Sequence, residues 1–244
     1  YAASPIAPAL QRRALAALDC DVAQFYGMTE AAPTVTHLSP EDHRRGATGE
    51  EPYGARLQAI GTPVVGVQAE VRGLDGRRLA PGEIGELWVR GPNVMLGYWK
   101  RLEATQDALV DGWYRTGDAA RRDQDGYLYL VDRLKDMIIT GAENVYCVEV
   151  EAALMEHAGV AEAAVIGIPD ARWGEAVHAI VAVSGRAQVS ESELIEHCRG
   201  LIARYKVPRS VELREEPLPK SGAGKLLKTV LREPFWTGLD RRVN

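Results

Sequence analysis

The sequence predicts a mixed α/β protein with two domains, in which a β-rich region precedes a smaller α/β domain. Through residues 60–131 apolar residues recur with a period of two and Asp-Gly or Pro-Gly turn signals separate them, as expected for successive strands. After Glu151, short apolar runs alternate with helical patterns. Because a charged break divides the two regions, we expect domains at 1–133 and 134–244. A chain of 244 residues is long enough for two such domains.

The first predicted elements lead into a segment of mixed chemistry. A helix is expected from Pro8 to Leu18, where leucines share one face, followed by a short strand at Val22 to Phe25. Tyr26-Gly27-Met28-Thr29-Glu30 then combines an aromatic ring, a glycine, a hydroxyl group and a carboxylate. These groups suit a nucleotide, since they offer a face for a base, close backbone approach, a phosphate donor and a magnesium ligand. An ordinary strand, turn and helix would show the same pattern.

In the β-rich region, one turn places a carboxylate directly after a glycine. In Tyr114-Arg115-Thr116-Gly117-Asp118, the Asp118 carboxylate can accept two hydrogen bonds from a ribose diol. Capping of its own turn is the alternative role. Gly91-Pro92-Asn93 and Gly97-Tyr98-Trp99 interrupt the strand pattern, and we expect their aromatic residues to pack rather than to bind.

The second domain is predicted to begin at a charged break and to continue as a compact α/β unit. Arg133, Lys135 and Asp136 put three charges into four residues between two apolar runs. Thr140 to Asn144 then leads into a helical pattern at Val150, Ala153 and Leu154. Further strands are expected at Ala163–Ile168, Val177–Val183 and Val211–Leu213.

A capping box and a loop rich in glycine and proline follow. Ser190 and Glu193 have the spacing of a capping box, for a helix that we expect to end at Tyr205 to Pro208. Pro217 to Lys225 is predicted to be a mobile loop, with a lysine at its far end ahead of a helix from Leu226. A mobile loop that delivers one cation suits transient stabilisation of phosphate charge. A flexible surface loop is the alternative.

Composition argues against several classes of function. The net charge of -5 and pI near 5.6 give no general case for nucleic-acid binding. Residues 199–244 are nevertheless basic, which suits either a polyanionic small molecule or a solvated face. Cys20, Cys147 and Cys198 lack disulfide or zinc spacing and the histidines form no metal motif, so a reducing, cytoplasmic setting without a transition metal is expected. No apolar run approaches the roughly 20 residues of a membrane span.

Four short motifs occur together, namely YGMTE (26–30), YRTGD (114–118), DRLKDMIITGAENVYCVEVE (132–151) and PKSGAGK (219–225). In this order they resemble the adenylate-forming superfamily, and most closely its fatty-acid or medium-chain acyl-CoA ligases. The resemblance covers nearly the whole chain. It implies the end of a large α/β domain with its β-rich subdomain, followed by a small mobile α/β C-terminal domain. It also implies a two-step reaction, in which a carboxylate and magnesium ATP give acyl-AMP and pyrophosphate before the thiol of coenzyme A displaces AMP.

The resemblance implies nucleotide contacts for two motifs. In the family pattern Tyr26, beside Gly27, packs on adenine, while Asp118 and Arg133 bind the ribose. The implied co-substrates are therefore ATP and coenzyme A together with a small carboxylic acid, and magnesium is the implied metal ion.

Catalytic and conformational roles are implied for other residues. Thr29 meets phosphate, Glu30 helps to hold magnesium, and Lys225 bridges acyl and phosphate oxygens in the family pattern. Lys135 occupies the family's hinge. A hinge is chemically reasonable, because the first step must exclude water from the acyl-adenylate whereas the second must admit a long pantetheine arm.

A coenzyme A tunnel is the last implied site. Gly141 and Ala142 are expected to approach Trp173 only after domain rotation and to line the path of the pantetheine arm. A Trp in a loop beside charged residues is also easily explained as a contact surface, although it could simply cover the small domain's sheet.

The chain departs from the family pattern in several places. The Gly/Ser/Thr-rich loop that grips the β- and γ-phosphates is absent, and so is most of the acyl pocket. Tyr1-Ala2-Ala3-Ser4-Pro5 has no initiating Met and resembles a strand end with a turn, so we expect an N-terminal half elsewhere and no activity from this chain alone. Ala142 stands where the family often has a second glycine, and Cys147 where it often has proline.

Two alternatives stay open. A related enzyme could load a carrier protein, or adenylate an amino acid or aryl acid. The chain could instead be a binding fragment without catalysis. A homodimer is one expected assembly, and no transmembrane segment or nucleic-acid partner is expected.

Overall fold

The computed structural model describes residues 1–2, 6, 8–185, 189–222 and 224–238, and for residues 8 and 9 it describes the backbone. The described residues form several sheets and helices, which confirms the mixed α/β class. Two compact units divide the chain, Tyr1–Val131 and Asp132–Asn244. The expected turn at residues 3–5 lies outside the described residues.

The first unit consists of short helices and mostly antiparallel strands. Its helices are α1 (Pro8–Ala17), α2 (Pro40–Ala47), α3 (Tyr53–Arg56) and α4 (Leu102–Ala108). Its strands are β1 (Gln24–Tyr26), β2 (Thr36–Leu38), β3 (Thr62–Pro63), β4 (Gln68–Arg72), β5 (Ile84–Arg90), β6 (Leu109–Val110), β7 (Trp113–Arg122) and β8 (Leu128–Arg133), the last of which runs two residues beyond Val131.

Two sheets organise this first unit. Strands β1, β2 and β3 form a three-stranded sheet, while β4, β5, β7 and β6 form a second sheet in that order, with β8 added to β7. Their apolar faces share a core that includes Val35, Leu87, Val89 and Leu128, all with no exposed surface. The predicted β-rich region is thus present among the described residues, and its strands form because alternate side chains can be buried on one face.

The second unit surrounds one sheet with three helices among its described residues. Its strands are β9 (Ile138–Thr140), β10 (Glu143–Val145), β11 (Val160–Asp170), β12 (Gly174–Val183) and β13 (Ser210–Arg214), and its helices are α5 (Cys147–Met155), α6 (Glu191–Leu201) and α7 (Lys228–Trp236). The order of strands is β10, β9, β12 and β11, and β13 pairs with β12 in parallel.

Both faces of the central strands are covered. On β11, Val165 faces the core formed with α5 and α6, whereas Ala164 and Ile166 face the smaller core that includes Leu231 of α7. Burial on both faces explains why the sequence here is a continuous apolar run rather than an alternating one. The strand is longer than the predicted Ala163–Ile168 because β11 and β12 form a long antiparallel ladder.

Local sequence signals fix some helix starts but not all helix ends. Ser190 accepts a hydrogen bond from the backbone of Glu193, and the Glu193 side chain bonds back to the Ser190 backbone, which confirms the predicted capping box. The helix ends at Leu201, several residues before the predicted end at Tyr205, because Ile202 takes an extended conformation. Within the described part of the chain, no helix is long and apolar enough to cross a bilayer.

Candidate active site

The segment from Tyr26 to Glu30 begins at the end of β1 and makes a tight turn. Tyr26 pairs with Thr36 of β2, so the strand fixes the direction of the segment. At Gly27 a Cβ atom would lie 1.5 Å from the carbonyl oxygen of Pro33, a distance that no larger residue tolerates. Glycine is therefore required by the close approach of the backbone. Thr29 is exposed and Glu30 half-buried in the short 3-10 turn that follows.

A second loop, residues 91–98, forms hydrogen bonds to the backbone at the end of this segment and just after it. The Asn93 side-chain amide donates hydrogen bonds to the carbonyl oxygens of Ala31 (2.8 Å) and Thr34 (2.9 Å). The Met95 backbone N–H donates to the carbonyl of Glu30 at 2.7 Å. Sequence reasoning treated Asn93 only as an interruption of a strand pattern, because nothing local indicates which distant carbonyl an amide will meet.

The Glu30 carboxylate is oriented by tyrosine. The Tyr98 hydroxyl donates to Glu30 Oε1 at 3.0 Å, and the Tyr114 and Tyr98 side chains also hydrogen-bond to each other. Burial raises the pKa of both phenols. The hydrogen bond to Glu30 raises the pKa of Tyr98 further, and the hydrogen bond to Tyr98 raises the pKa of Tyr114 further. Both hydroxyls are consequently neutral donors at physiological pH. Tyr98 is half-buried and positions a candidate ligand, whereas Trp99 is 86% exposed, so the expectation that the aromatic residues of this segment pack is wrong for Trp99.

Asp118 lies at an irregularity in the antiparallel pairing of β7 with β5. Glu86 pairs with Ala119 and Trp88 with Arg115, so three residues of β7, Thr116 to Asp118, stand opposite Leu87 alone. Such a bulge redirects a side chain. The Thr116 hydroxyl donates to the Leu87 carbonyl at 2.7 Å and accepts the Asp118 N–H at 3.1 Å.

The buried Glu86 fixes this irregularity from the neighbouring strand. Its Oε1 accepts the Gly117 N–H at 3.1 Å, and its Oε2 accepts the Arg115 Nε–H at 3.0 Å. Gly117 has a φ of 70°, which favours glycine. The Thr116 hydroxyl and the Glu86 carboxylate thus hold the turn, which leaves the Asp118 carboxylate with a different partner. Glu86 carried no sequence motif and was missed.

That partner is Tyr26. The Tyr26 hydroxyl donates to Asp118 Oδ2 with 2.5 Å between the oxygens, and Asp118 is only 4% exposed. The structure therefore brings two of the predicted nucleotide residues into direct contact. The first unit also contains Thr29 and Glu30, whereas Arg133, Lys135 and Lys225 belong to the second unit.

The predicted hinge residue lies in a short 3-10 turn. The turn runs from Leu134 to Asp136, with Lys135 exposed at its centre and Arg133 exposed just before it. The Met137 backbone N–H closes the turn by donating to the carbonyls of Arg133 (3.1 Å) and Leu134 (3.2 Å).

Lys225 is presented by a small hairpin rather than by an irregular loop. Lys220 and Leu226 form an antiparallel bridge, and the Ser221 N–H donates to the Lys225 carbonyl at 2.8 Å. Gly224 N–H closes a turn onto the Ser221 carbonyl at 2.8 Å. Backbone pairing thus gives the described residues of this segment a hairpin conformation, and the expectation that the loop is mobile stays a prediction. Lys225 itself is exposed.

Gly141 and Trp173 touch within the second unit. The Gly141 N–H donates to the Trp173 carbonyl at 2.7 Å, and a Cβ at Gly141 would lie 3.0 Å from the indole ring. Thr140 of β9 pairs with Gly174 of β12, which brings the two segments together. The expectation that they approach only after a domain rotation is therefore wrong, since pairing inside one sheet already joins them. Ala142 is exposed beside them.

Two arginines flank the Trp173 ring. The guanidinium carbons of Arg172 and Arg209 lie 4.6 Å and 5.3 Å from the ring centroid. Asp170 organises the loop, because its Oδ1 accepts the N–H groups of Arg172 (2.9 Å) and Trp173 (2.8 Å). The result is an aromatic surface with positive charge beside it. Arg209 was missed in the sequence because it lies just before β13, far along the chain.

Family models match most of the chain. The model of the AMP-binding enzyme family matches residues 1–99, and the model of the AMP-binding enzyme C-terminal domain matches residues 149–225. The chain belongs to this family, the adenylate-forming or AMP-binding enzymes.

The most similar curated relatives include ligases with different thiol acceptors. The fatty acid–[acyl-carrier-protein] ligase ScoC of Streptomyces coeruleorubidus is 42% identical over 244 residues, which cover 100% of this chain and 46% of that protein. A long-chain-fatty-acid–CoA ligase of Yersinia pestis is 47% identical over 208 residues, 85% of this chain and 35% of that protein. The chain thus spans less than half the length of either relative.

A solved structure shows the same fold with its ligands. The O-succinylbenzoate coenzyme A synthetase MenE of Bacillus subtilis, in complex with ATP and a magnesium ion, matches with a TM-score of 0.78 and 34% identity, over 93% of this chain and 44% of that one. The family therefore supports an adenylate-forming ligase.

Proposed function

We propose that this chain is part of an AMP-forming acid–thiol ligase, which activates a fatty or other carboxylic acid as acyl-AMP and then transfers the acyl group to coenzyme A. The contact between Tyr26 and Asp118 carries the proposal. The base and the ribose of one nucleotide are neighbours, so their site needs a flat ring and a carboxylate side by side. That requirement is met here by residues from two different sheets.

The nucleotide contacts follow from these side chains. The Tyr26 ring packs on adenine, and the Asp118 carboxylate accepts hydrogen bonds from the ribose hydroxyls. Gly27 supplies the close backbone approach. Arg133, which lies in the second unit, donates to a ribose hydroxyl of the same nucleotide.

Glu30 fits a magnesium ligand by the chemistry of its donors. Mg²⁺ prefers oxygen and is commonly held by one or two carboxylates together with substrate phosphates. The Tyr98 hydroxyl at 3.0 Å fixes the carboxylate through one oxygen. When bound, the ion would neutralise phosphate charge. The exposed Thr29 hydroxyl would donate to a phosphate oxygen.

Lys225 supplies the positive charge of the first step. A carboxylate oxygen of the acid forms a bond to the α-phosphorus while the bond from that phosphorus to pyrophosphate breaks. Negative charge builds up on the acyl and phosphate oxygens around the α-phosphorus. A lysine ammonium near those oxygens stabilises that charge. The exposed end of the hairpin suits such a residue, because the side chain can reach substrate without being buried in the second unit.

The thiol step would use the surface around Trp173. Gly141 and Ala142 leave room for a narrow pantetheine arm, and Arg172 and Arg209 beside the indole suit the phosphates of coenzyme A. Lys135 would be the hinge about which the second domain turns between the two steps.

A carrier-protein thiol is the second candidate acceptor. It is favoured by the relative named as a fatty acid–acyl-carrier-protein ligase, which is 42% identical over the whole chain. Both acceptors end in the same phosphopantetheine arm, so the tunnel residues would serve either. We further propose a cytoplasmic enzyme, since Cys20, Cys147 and Cys198 are all free thiols. A homodimer stays an expected assembly.

The test uses protein expressed from the complete reading frame that encodes this sequence. Pyrophosphate release from ATP with a panel of carboxylic acids measures the first step, and supply of coenzyme A or of a phosphopantetheinylated carrier protein then separates the acceptors. Lys225→Ala should lower adenylation by roughly 100-fold or more, whereas Lys206→Ala should not. No acyl-AMP from any acid would refute the proposal. The 244-residue chain alone should release no pyrophosphate, and calorimetry with AMP and coenzyme A would show whether it binds either ligand.

A further inference from the structure

Two buried ion pairs join helix α7 to the rest of the second unit. Lys228 Nζ lies 2.7 Å from Glu151 Oε1, and Arg232 Nη2 lies 3.0 Å from Asp136 Oδ1. All four side chains are only 12% to 15% exposed. Since Lys228 and Arg232 are four residues apart, they lie on the same face of the helix, one turn from each other.

One of these pairs reaches the centre of the fold. Glu151 belongs to α5, and its Oε1 also accepts the backbone N–H of Val165 in β11 at 2.8 Å. The carboxylate that receives Lys228 is thus held by both a helix and the central sheet. The start of α7 is consequently fixed to α5 and, through Glu151, to the central sheet of the second unit.

The other pair reaches the predicted hinge. Asp136 is the last residue of the 3-10 turn that contains Lys135. Its carbonyl accepts a hydrogen bond from the Cys147 thiol at 3.0 Å, and on the other side of the turn Asp132 accepts the N–H of Val148 at 3.4 Å. Both ends of the turn are therefore tied to the start of α5, and Arg232 adds a tie to α7.

The helix also carries the hairpin of Lys225. The Leu227 N–H donates to the Pro219 carbonyl at 2.9 Å, and Lys220 bridges Leu226, so the hairpin closes directly onto the first turn of α7. Lys228 stands three residues after Lys225. Any shift or rotation of α7 must therefore move the lysine.

Stability alone does not account for these pairs. Apolar contacts of Leu231 with Ile166 and Ile180 already hold α7 against the sheet. Buried ion pairs rarely stabilise a protein more than apolar side chains of the same size would, because desolvation cancels most of the attraction, although they can specify one arrangement over others. Burial opposes the charge on Lys228, but the Glu151 and Asp132 carboxylates raise its pKa to about 12, so the lysine is charged at physiological pH.

We propose that Lys228 and Arg232 are positioning residues. They fix the position of α7 along its axis and its rotation about that axis, and they thereby hold Lys225 at a fixed distance from the hinge turn. This inference rests on the proposed function, since it assigns the two residues to the adenylation step. The coenzyme A surface at Trp173 lies on other elements of the unit, so the thiol step should be largely independent of them.

The experiment measures both half-reactions in protein from the complete reading frame. Lys228→Met should lower the rate of adenylation by roughly 10- to 100-fold, since a displacement of about 1 Å at a reacting group has effects of that size. The KM for ATP and the rate of thioester formation from supplied acyl-adenylate should stay within about threefold of the parental values. Lys228→Arg, which keeps the charge, should recover most of the lost rate.

A matched control removes another ion pair formed by a glutamate of α5. Lys206 Nζ lies 2.6 Å from Glu149 of α5, and Lys206 itself lies outside α7. Lys206→Met should leave both half-reactions near the parental rates. If Lys228→Met protein does not fold, Glu151→Gln decides the same question, because it keeps the size of the side chain but removes the negative charge that pairs with Lys228, and it should also slow adenylation selectively.

The double variant Lys225→Ala with Lys228→Met separates positioning from general damage. It should adenylate no more slowly than Lys225→Ala alone, because Lys228 acts through Lys225. Multiplying losses, equal losses in both half-reactions, or a folded Lys228→Met protein with the parental adenylation rate would each overturn this inference while leaving the proposed function intact. An inactive parental protein would overturn both.

Discussion

The Tyr26 hydroxyl and the Asp118 carboxylate share a hydrogen bond of 2.5 Å, although 92 positions separate them in the chain. Tyr26 is the last residue of a strand in one sheet, and Asp118 lies in a bulge of a strand in another sheet. Each residue alone fits an ordinary turn or packing role. Their contact is what makes a nucleotide site the better interpretation, and it supports the first prediction.

Asp118→Asn should weaken AMP binding by roughly 10- to 100-fold, because hydrogen bonds to a charged group contribute about 1.5–3 kcal/mol. Tyr26→Phe keeps the ring and should cost less. The parental protein should also prefer AMP to 2′-deoxy-AMP, and Asp118→Asn should reduce that preference. Titration calorimetry on protein from the complete reading frame measures each of these affinities for AMP and 2′-deoxy-AMP. An unchanged preference in Asp118→Asn would remove the carboxylate from the ribose site.

Lys135→Pro should impair thioester formation more than adenylation. Proline fixes φ near -65°, so it restricts one of the few backbone bonds that a hinge must turn. Lys135→Ala is the control, since it removes the charge and leaves the backbone free. Single-turnover measurements of each half-reaction give the comparison. Equal losses in the two steps would count against a hinge at this position.

Ala142→Leu should block the thiol step while leaving acyl-AMP formation nearly intact, because the larger side chain would occupy the expected path of the pantetheine arm. Trp173→Ala should raise the KM for coenzyme A and change adenylation little. Initial rates with varied coenzyme A, set beside pyrophosphate release, distinguish the two steps. A folded Ala142→Leu enzyme with the parental rate of thioester formation would show that the arm passes elsewhere.

The stability of the second unit should fall in mild acid because of His178. This side chain is 6% exposed, its Nδ1 lies 2.7 Å from Ser210 Oγ, and its ring packs on Phe235. Burial lowers its pKa, Glu212 and Glu191 partly oppose this, and Arg214 lowers it further. The unfolded chain therefore binds the proton more readily, so the stabilisation present above the usual value of 6.5 is lost as pH falls through the lowered pKa.

Urea unfolding of the chain between about pH 7 and pH 5 tests this dependence. The parental midpoint should fall towards acid more steeply than that of His178→Gln, which has no ionisable ring at the site. Parallel curves for the two proteins would exclude His178 as a source of the acid sensitivity.

The sequence by itself determined features that depend on neighbouring residues. The capping box of Ser190 and Glu193 starts α6 because both hydrogen bonds lie within one turn, and the apolar run around Val165 forms a strand buried on both faces. The order of four short motifs likewise sufficed to indicate the family, which the matching family models confirmed.

Only the tertiary structure decided which distant groups meet. No local signal pairs Asn93 with Ala31, Gly141 with Trp173 or Lys228 with Glu151, because such contacts depend on how separate elements pack. The hairpin of Lys225 makes the same point on a smaller scale, since its composition predicts a loop, whereas the pairing of Lys220 with Leu226 forms a hairpin. Local hydrogen bonds and periodic burial can be inferred from adjacent residues, whereas a site assembled across sheets exists only once the chain has folded.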